Sequence, residues 1–155
     1  MDGTIQTLFQ QQSLAARQEL QECNRYSSNF GLVLSEPEIE ELIVCHADAL
    51  KASGRIEFGS GILPKLIYAF CDSPFMERET YESTLAELQD SFYYYKTEAA
   101  DRYSDDELIE FMVKVFNGCA QGSVEYLAGT SLEELARNAR KGTNPCEEEQ
   151  AGGWI

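Results

Sequence analysis

Apolar residues recur in steps of three and four along most of the chain, which is the spacing of one face of an α-helix. The clearest run comprises Ile39, Leu42, Ile43, His46, Ala47 and Leu50. Ser35 and Glu38 precede it with the spacing of a capping box, and Gly54 follows it. The pattern therefore predicts a helix between Ser35 and Gly54.

The same reasoning predicts helices over 4–28, 61–72, 77–100, 104–117 and 121–128, and a last helix after Thr130. Two further capping-box spacings, Ser104 with Glu107 and Thr130 with Glu133, support the starts of two of these helices. Gly129 is interpreted as the end of the helix over 121–128. The short apolar pieces 32–34 and 56–58 are interpreted as irregular connections.

The segment 61–72 is apolar nearly all round after Lys65, a pattern typical of a central, buried helix. The sequence thus predicts an all-α fold: six or seven helices in a single irregular bundle, with helix 61–72 central and buried. We expect residues 1–141 to form one helical domain. From residue 142 the composition becomes acidic and glycine-rich, which predicts a disordered acidic tail over 142–155.

The charge of the chain narrows its possible partners. It has 155 residues, a formal net charge of -15 and a pI of about 4.3. Such a surface repels nucleic-acid backbones and anionic membranes, so we expect no direct nucleic-acid or membrane binding. The negative charge either keeps the protein soluble or attracts a basic protein partner. In the second case the protein could act as a nucleic-acid mimic. The N-terminus lacks the build of a signal peptide, which predicts a cytoplasmic location.

The cysteines and the histidine of the chain give little indication of a metal site or of a catalytic nucleophile. The five cysteines are scattered without a C-x-x-C pair, and His46 is the only histidine. A structural zinc site needs four such ligands in close pairs, so no metal or cofactor is expected. We predict that His46 packs in the core. Cys119 is the candidate reactive thiol because it precedes a predicted helix start, and the alternative is a small packed residue.

The segment around Gly59, Ser60 and Gly61 is the candidate ligand site. Its backbone N–H groups, at the predicted start of helix 61–72, have the geometry to cradle an anion with help from Arg55 and Lys65. The complete phosphate-loop motif is absent. The alternative is a purely structural turn, in which the two bases form ion pairs with nearby acids, of which Glu57 and Asp72 are the candidates.

Three segments carry a resemblance to a known family. They are 58–74 (FGSGILPKLIYAFCDSP), 105–112 (DDELIEFM) and 121–130 (QGSVEYLAGT). They resemble an uncharacterised family, a domain of unknown function, of small proteins from Clostridia-type Firmicutes, over about residues 12–141. The resemblance implies a cytoplasmic bacterial protein. It implies no activity, cofactor or site residue.

These observations favour a non-enzymatic, cytoplasmic protein-interaction module with a basic partner. One alternative is a binder of small anionic ligands, or an enzyme, that uses segment 54–65. The other is an acidic nucleic-acid mimic that occupies a basic protein. The sequence does not indicate an oligomeric state.

Overall fold

The protein is described from a computed structural model, which describes the backbone of residues 2–141 and the side chains of residues 13–141. Within that range the chain is helical and forms no strand, which confirms the all-α fold class. The helices are α1 (Asp2–Ser27), α2 (Glu36–Ser53), α3 (Leu63–Phe70), α4 (Tyr81–Glu98), α5 (Asp105–Asn117), α6 (Val124–Tyr126) and α7 (Glu133–Arg140). A 3-10 turn, Ser28–Phe30, follows α1, and a π-helical segment, Leu127–Leu132, joins α6 to α7.

Two of the three predicted capping boxes are formed. At the start of α2, the Ser35 hydroxyl accepts a hydrogen bond from the Glu38 N–H at 3.4 Å, and the Glu38 carboxylate accepts one from the Ser35 N–H at 2.8 Å. Ser104 and Glu107 make the same pair of bonds at the start of α5, at 3.1 and 2.9 Å. Each box satisfies two backbone donors that the helix itself leaves unpaired.

The third capping box, at Thr130, was a wrong prediction. Helical backbone continues from α6 into α7 through the π-helical segment, and Thr130 lies inside that segment. The wider hydrogen-bonding pattern of a π-helix accommodates an extra residue, so the chain passes Gly129 without ending the helix. The cap lies upstream instead, where the Ser123 hydroxyl accepts from the Tyr126 N–H at 3.1 Å.

The chain divides into two compact units at the boundary between Asp90 and Ser91, which lies within α4. The single domain over 1–141 stays a prediction, and the acidic tail over 142–155 lies outside the described residues. No described helix is long and apolar enough to cross a membrane.

In the first unit, α1 packs against both α2 and α3. The buried side chains of α3 are Leu63, Leu66, Ile67 and Phe70, which confirms that this helix is buried. It is shorter than the predicted 61–72, because Gly61 has a left-handed φ of 58° and the preceding residues form turns. Lys65 and Tyr68 are its exposed residues, and Tyr68 has 46% of its surface exposed.

In the second unit, basic side chains tie helix ends together. Lys96 donates to the Tyr103 carbonyl and pairs with Asp105 at 2.9 Å. Arg102 donates to the Ala139 carbonyl at 2.9 Å, and Arg140 pairs with Glu98 at 2.9 Å. The tyrosine run 93–95 divides by helical geometry: its first and third members are buried, and Tyr94 is 55% exposed.

Candidate functional site

The connection between α2 and α3 has a fixed backbone path. At its start, Gly54 is left-handed and the Arg55 N–H donates to the Leu50 carbonyl at 2.9 Å. At its end, the Gly61 N–H donates to the Phe58 carbonyl at 3.3 Å. Gly59 and Gly61 have φ of 62° and 58°, a region that L side chains rarely adopt. The glycines that the sequence analysis singled out are therefore needed for this backbone path.

A carboxylate from α1 closes this turn. Glu19 Oε1 accepts hydrogen bonds from the Ser60 N–H at 2.8 Å and from the Ser60 hydroxyl at 3.1 Å. Ser60 itself is fully buried. A Cβ atom at Gly59 would collide with the Glu19 carboxylate as it lies here, so the Glu19 side chain would have to shift, and the left-handed φ of 62° independently favours glycine. The turn thus binds a carboxylate, and in this structure the carboxylate comes from the chain itself.

In residues 55–58 of this connection, the usual exposure of charged and apolar side chains is reversed. Ile56 is 92% exposed and Phe58 is 78% exposed, whereas the charged residues that precede each of them, Arg55 and Glu57, are half-buried. A connection ordinarily turns its charged side chains to water and its apolar side chains inward. Here alternate residues do the opposite. We call Ile56 and Phe58 the apolar pair.

His46 lies buried in α2 and interacts electrostatically with the two acids of this region. Burial lowers the pKa of His46, while Glu57 and Glu19 oppose that shift. The predicted core position of His46 is confirmed, with 5% of its surface exposed. Its electrostatic interaction with Glu57 gives a reason why that charged side chain is half-buried rather than solvated.

The predicted site residues are only partly brought together. Gly59, Ser60 and Gly61 form the turn itself, and Lys65 is an exposed residue of α3. Asp72 follows the C-terminal end of α3, whereas the turn precedes the N-terminal end, so the helix separates the two. Ligand binding by these residues stays a prediction.

Cys119 is exposed and lies in the turns after α5, ahead of the Ser123 cap. It is therefore not a small packed residue. Because it does not stand at the first turn of α6, the helix-terminus argument for a reactive thiol loses its geometric basis. Its reactivity stays a prediction. Among the described residues, no group of three or more His, Cys, Asp and Glu side chains is placed to hold a metal ion.

Sequence reasoning missed a cluster of three half-exposed aromatic rings, which we call the aromatic platform: Tyr26, Phe30 and Tyr68. The ring centroids of Tyr26 and Phe30 lie 5.5 Å apart, edge to face, and those of Tyr26 and Tyr68 lie 5.2 Å apart. Their exposed fractions are 42%, 44% and 46%. The spacing of Tyr26 and Phe30 is a helical neighbour pair, which the sequence displays. The contribution of Tyr68 requires the packing of α3 on α1.

The hydrogen bonds from Ser60 to Glu19 were not predicted from the sequence either. The two residues are 41 positions apart and meet only because α3 packs on α1. These features define a small acidic all-α protein whose connection between α2 and α3 is hydrogen-bonded to Glu19 and exposes the apolar pair.

A model described as "Family of unknown function (DUF6323)" matches residues 19–145, so the chain belongs to this family. This confirms the family resemblance, while the clostridial origin and cytoplasmic location stay predictions. No curated protein and no solved structure matches the chain.

Proposed function

We propose that the protein is a protein-interaction module that docks a basic partner through the apolar pair, Ile56 and Phe58. The observation that carries this proposal is the inverted polarity of segment 55–58, whose charged side chains are half-buried while its apolar side chains are exposed. A connection that served only to join α2 to α3 would have no need of this inversion.

The rigidity of the connection supports the same proposal. Left-handed glycines, backbone hydrogen bonds and the Glu19 carboxylate all hold the segment in one path. A docking residue that is already ordered loses little conformational entropy on binding. Burying one large apolar side chain contributes about 1.5–3 kcal/mol, so the apolar pair can anchor an interface of modest size.

The charge of the chain supports a basic partner. With 27 acidic residues against 12 Lys and Arg, the surface attracts a basic protein and repels another acidic one. The partner segment that binds the apolar pair is therefore basic and carries an apolar side chain beside its charged residues. Charge complementarity raises the association rate, and the apolar contact slows dissociation.

The proposal is tested by affinity capture from the source cells, followed by reconstitution with the captured partner in purified form. The wild type is compared with Ile56→Ser/Phe58→Ser and with Val44→Ser. Val44 is 55% exposed on α2, so its substitution removes a matched apolar surface away from the connection. We expect one basic partner to be retained by the wild type and the control. The double variant should bind the purified partner at least about tenfold more weakly.

Equal binding of that partner by the double variant and the wild type would contradict the proposal. So would a partner of acidic composition, since charge complementarity then fails. Because Ile56 and Phe58 are solvent-exposed, the double variant is expected to fold, and its circular dichroism spectrum checks this.

A second candidate function, binding of a small anion, is supported by the fact that the turn already holds a carboxylate. An external anion that displaced Glu19 would receive the Ser60 N–H and hydroxyl hydrogen bonds. Thermal-shift measurements with phosphate, acetate and nucleotides test it on the wild type, Glu19→Ala and Lys65→Ala. Saturable stabilisation of the wild type that Lys65→Ala abolishes favours this candidate, and stabilisation by no anion excludes it.

A further inference from the structure

We propose that the aromatic platform, Tyr26, Phe30 and Tyr68, is a binding site for an arginine side chain of the basic partner. This inference rests on the proposed protein-binding function and adds to it the chemical group that is recognised. It concerns a site formed by α1, the 3-10 turn and α3 rather than the connection that carries the apolar pair.

The ring arrangement leaves faces available to a cation. Tyr26 contacts both other rings, at 5.5 and 5.2 Å between centroids, with interplanar angles of 61° and 51°. Angled rings cover only part of one another's faces, and each of the three residues keeps more than two fifths of its surface exposed. The negative face of an aromatic ring attracts a cation placed above it. The exposed parts of three adjacent rings therefore offer an electron-rich surface.

The platform is held in place from below. The Tyr68 hydroxyl is hydrogen-bonded to the thiol of Cys23, a buried residue of α1. That thiol remains protonated at neutral pH, because burial raises its pKa to about 11. Tyr68 is thus anchored at its polar end while its ring remains half-exposed. A fixed ring loses little entropy when a ligand stacks on it.

Acidic side chains stand beside the rings. Glu22 interacts electrostatically with both Cys23 and Tyr68, and Glu19 interacts with Cys23. Glu22 also faces Arg25 across 3.6 Å, but both side chains are largely exposed, so that pair is weak and exchangeable. An incoming guanidinium group can replace Arg25 as the partner of Glu22 while its plane lies on a ring.

Arginine fits this site better than lysine. Its guanidinium group is planar, stacks on aromatic faces, and carries several N–H donors for a neighbouring carboxylate. An ammonium group is a compact and strongly hydrated charge that gains less from a flat aromatic surface. The chemistry of the platform therefore selects arginine within a basic segment.

The inference is tested by NMR titration of the full chain with an acetylated and amidated Gly-Arg-Gly peptide. Matched peptides carry lysine or citrulline, which has nearly the shape of arginine but no charge. We expect saturable shifts of amide signals in residues 22–30 and 64–72. We also expect upfield shifts of the arginine Cδ protons, because ring currents shield nuclei above an aromatic face. Citrulline should bind about two- to thirtyfold more weakly, the range of one cation–π contact.

Variants separate the aromatic contribution from apolar area. Tyr68→Leu and Tyr26→Leu keep apolar bulk but remove a ring, and each should weaken arginine binding about two- to thirtyfold. Tyr126→Leu is the control, since Tyr126 is 42% exposed, like Tyr26, and lies outside the platform. Arg25→Gln should strengthen binding, because it frees Glu22 from a competing cation.

Equal binding of arginine and citrulline, or an absence of ring-current shifts, would overturn the inference. Amide shifts confined to other parts of the chain would do the same. These outcomes leave the proposed function intact, because docking through the apolar pair is measured separately with Ile56→Ser/Phe58→Ser. Conversely, if Ile56→Ser/Phe58→Ser binds the partner as well as the wild type does while arginine binding is intact, only the proposed docking through the apolar pair is contradicted.

Discussion

The carboxylate of Glu19 accepts hydrogen bonds from both the backbone N–H and the hydroxyl of Ser60, at 2.8 and 3.1 Å. Ser60 is fully buried, whereas Glu19 lies at an exposed position of α1. This contact joins α1 to the connection that displays the apolar pair. The orientation of Ile56 and Phe58 therefore depends on a residue far away in the sequence.

Removing this acceptor should destabilise the protein. Glu19→Ala removes the charged acceptor of two hydrogen bonds from Ser60, which costs about 1–3 kcal/mol of the free energy of unfolding. Glu19→Gln keeps a neutral acceptor and should lose less. Glu22→Ala, on an exposed position of the same helix, is the control and should change stability by less than about 0.5 kcal/mol. Urea denaturation measures all three, and equal stability of Glu19→Ala and the control would contradict the clamp.

The helix caps give a second prediction. Ser104→Ala removes the side chain that accepts from the Glu107 N–H at 3.1 Å, so it should cost about 1 kcal/mol of stability. Thr130→Ala should be close to neutral, because Thr130 lies exposed inside the π-helical segment and starts no helix. Thermal unfolding compares the two variants. A larger loss for Thr130→Ala than for Ser104→Ala would restore the capping box that the sequence suggested.

A third prediction concerns Gln89, a fully buried residue of α4. Neither atom of its side-chain amide has a hydrogen-bond partner among the described residues. Replacing an unsatisfied buried amide with an apolar side chain of similar shape removes its desolvation penalty, so Gln89→Met should raise stability by about 1–3 kcal/mol. Gln18→Met, at an exposed position of α1, should have little effect. A clear loss of stability in Gln89→Met would show that the amide has a stabilising partner.

The fourth prediction concerns pH. Burial lowers the pKa of His46 below its ordinary value of 6.5, against the opposing effect of Glu57 and Glu19. The unfolded chain therefore binds the proton more tightly than the folded protein does, and acid favours unfolding. Wild-type stability should include a loss that begins near pH 6.5 and grows on further acidification. That loss should be absent from His46→Gln.

Chemical denaturation at several pH values between about pH 8 and about pH 5 measures this difference. The stability of the wild type relative to His46→Gln should be constant at the alkaline end and should shrink below the ordinary histidine pKa. A relative stability that grows on acidification would mean that Glu57 and Glu19 outweigh burial and raise the pKa of His46.

Local signals in the sequence predicted much of the fold. The capping boxes at Ser35 and Ser104 could be predicted from the sequence because their hydrogen bonds join residues three positions apart. Thr130 has the same spacing to Glu133 but forms no cap, since helical backbone continues through it in the π-helical segment, which packs against α5.

The candidate site was predictable only in part, for a related physical reason. The glycines at 59 and 61 indicated a tight turn beside a helix start, and the structure has one. The group that occupies the turn, Glu19, and the ring that completes the platform, Tyr68, become neighbours only through the packing of α3 on α1. A single sequence does not display such long-range contacts.

The most direct test of the docking function is site-specific photo-crosslinking in the source cells. A photoreactive phenylalanine analogue replaces Phe58 in one variant and Val44 in the other, two exposed apolar positions, one in the connection and one in α2. We expect one dominant crosslinked product with a basic protein from position 58 and none of it from position 44. The same product in equal yield from both positions, or none from position 58, would contradict the claim that the apolar pair docks a partner.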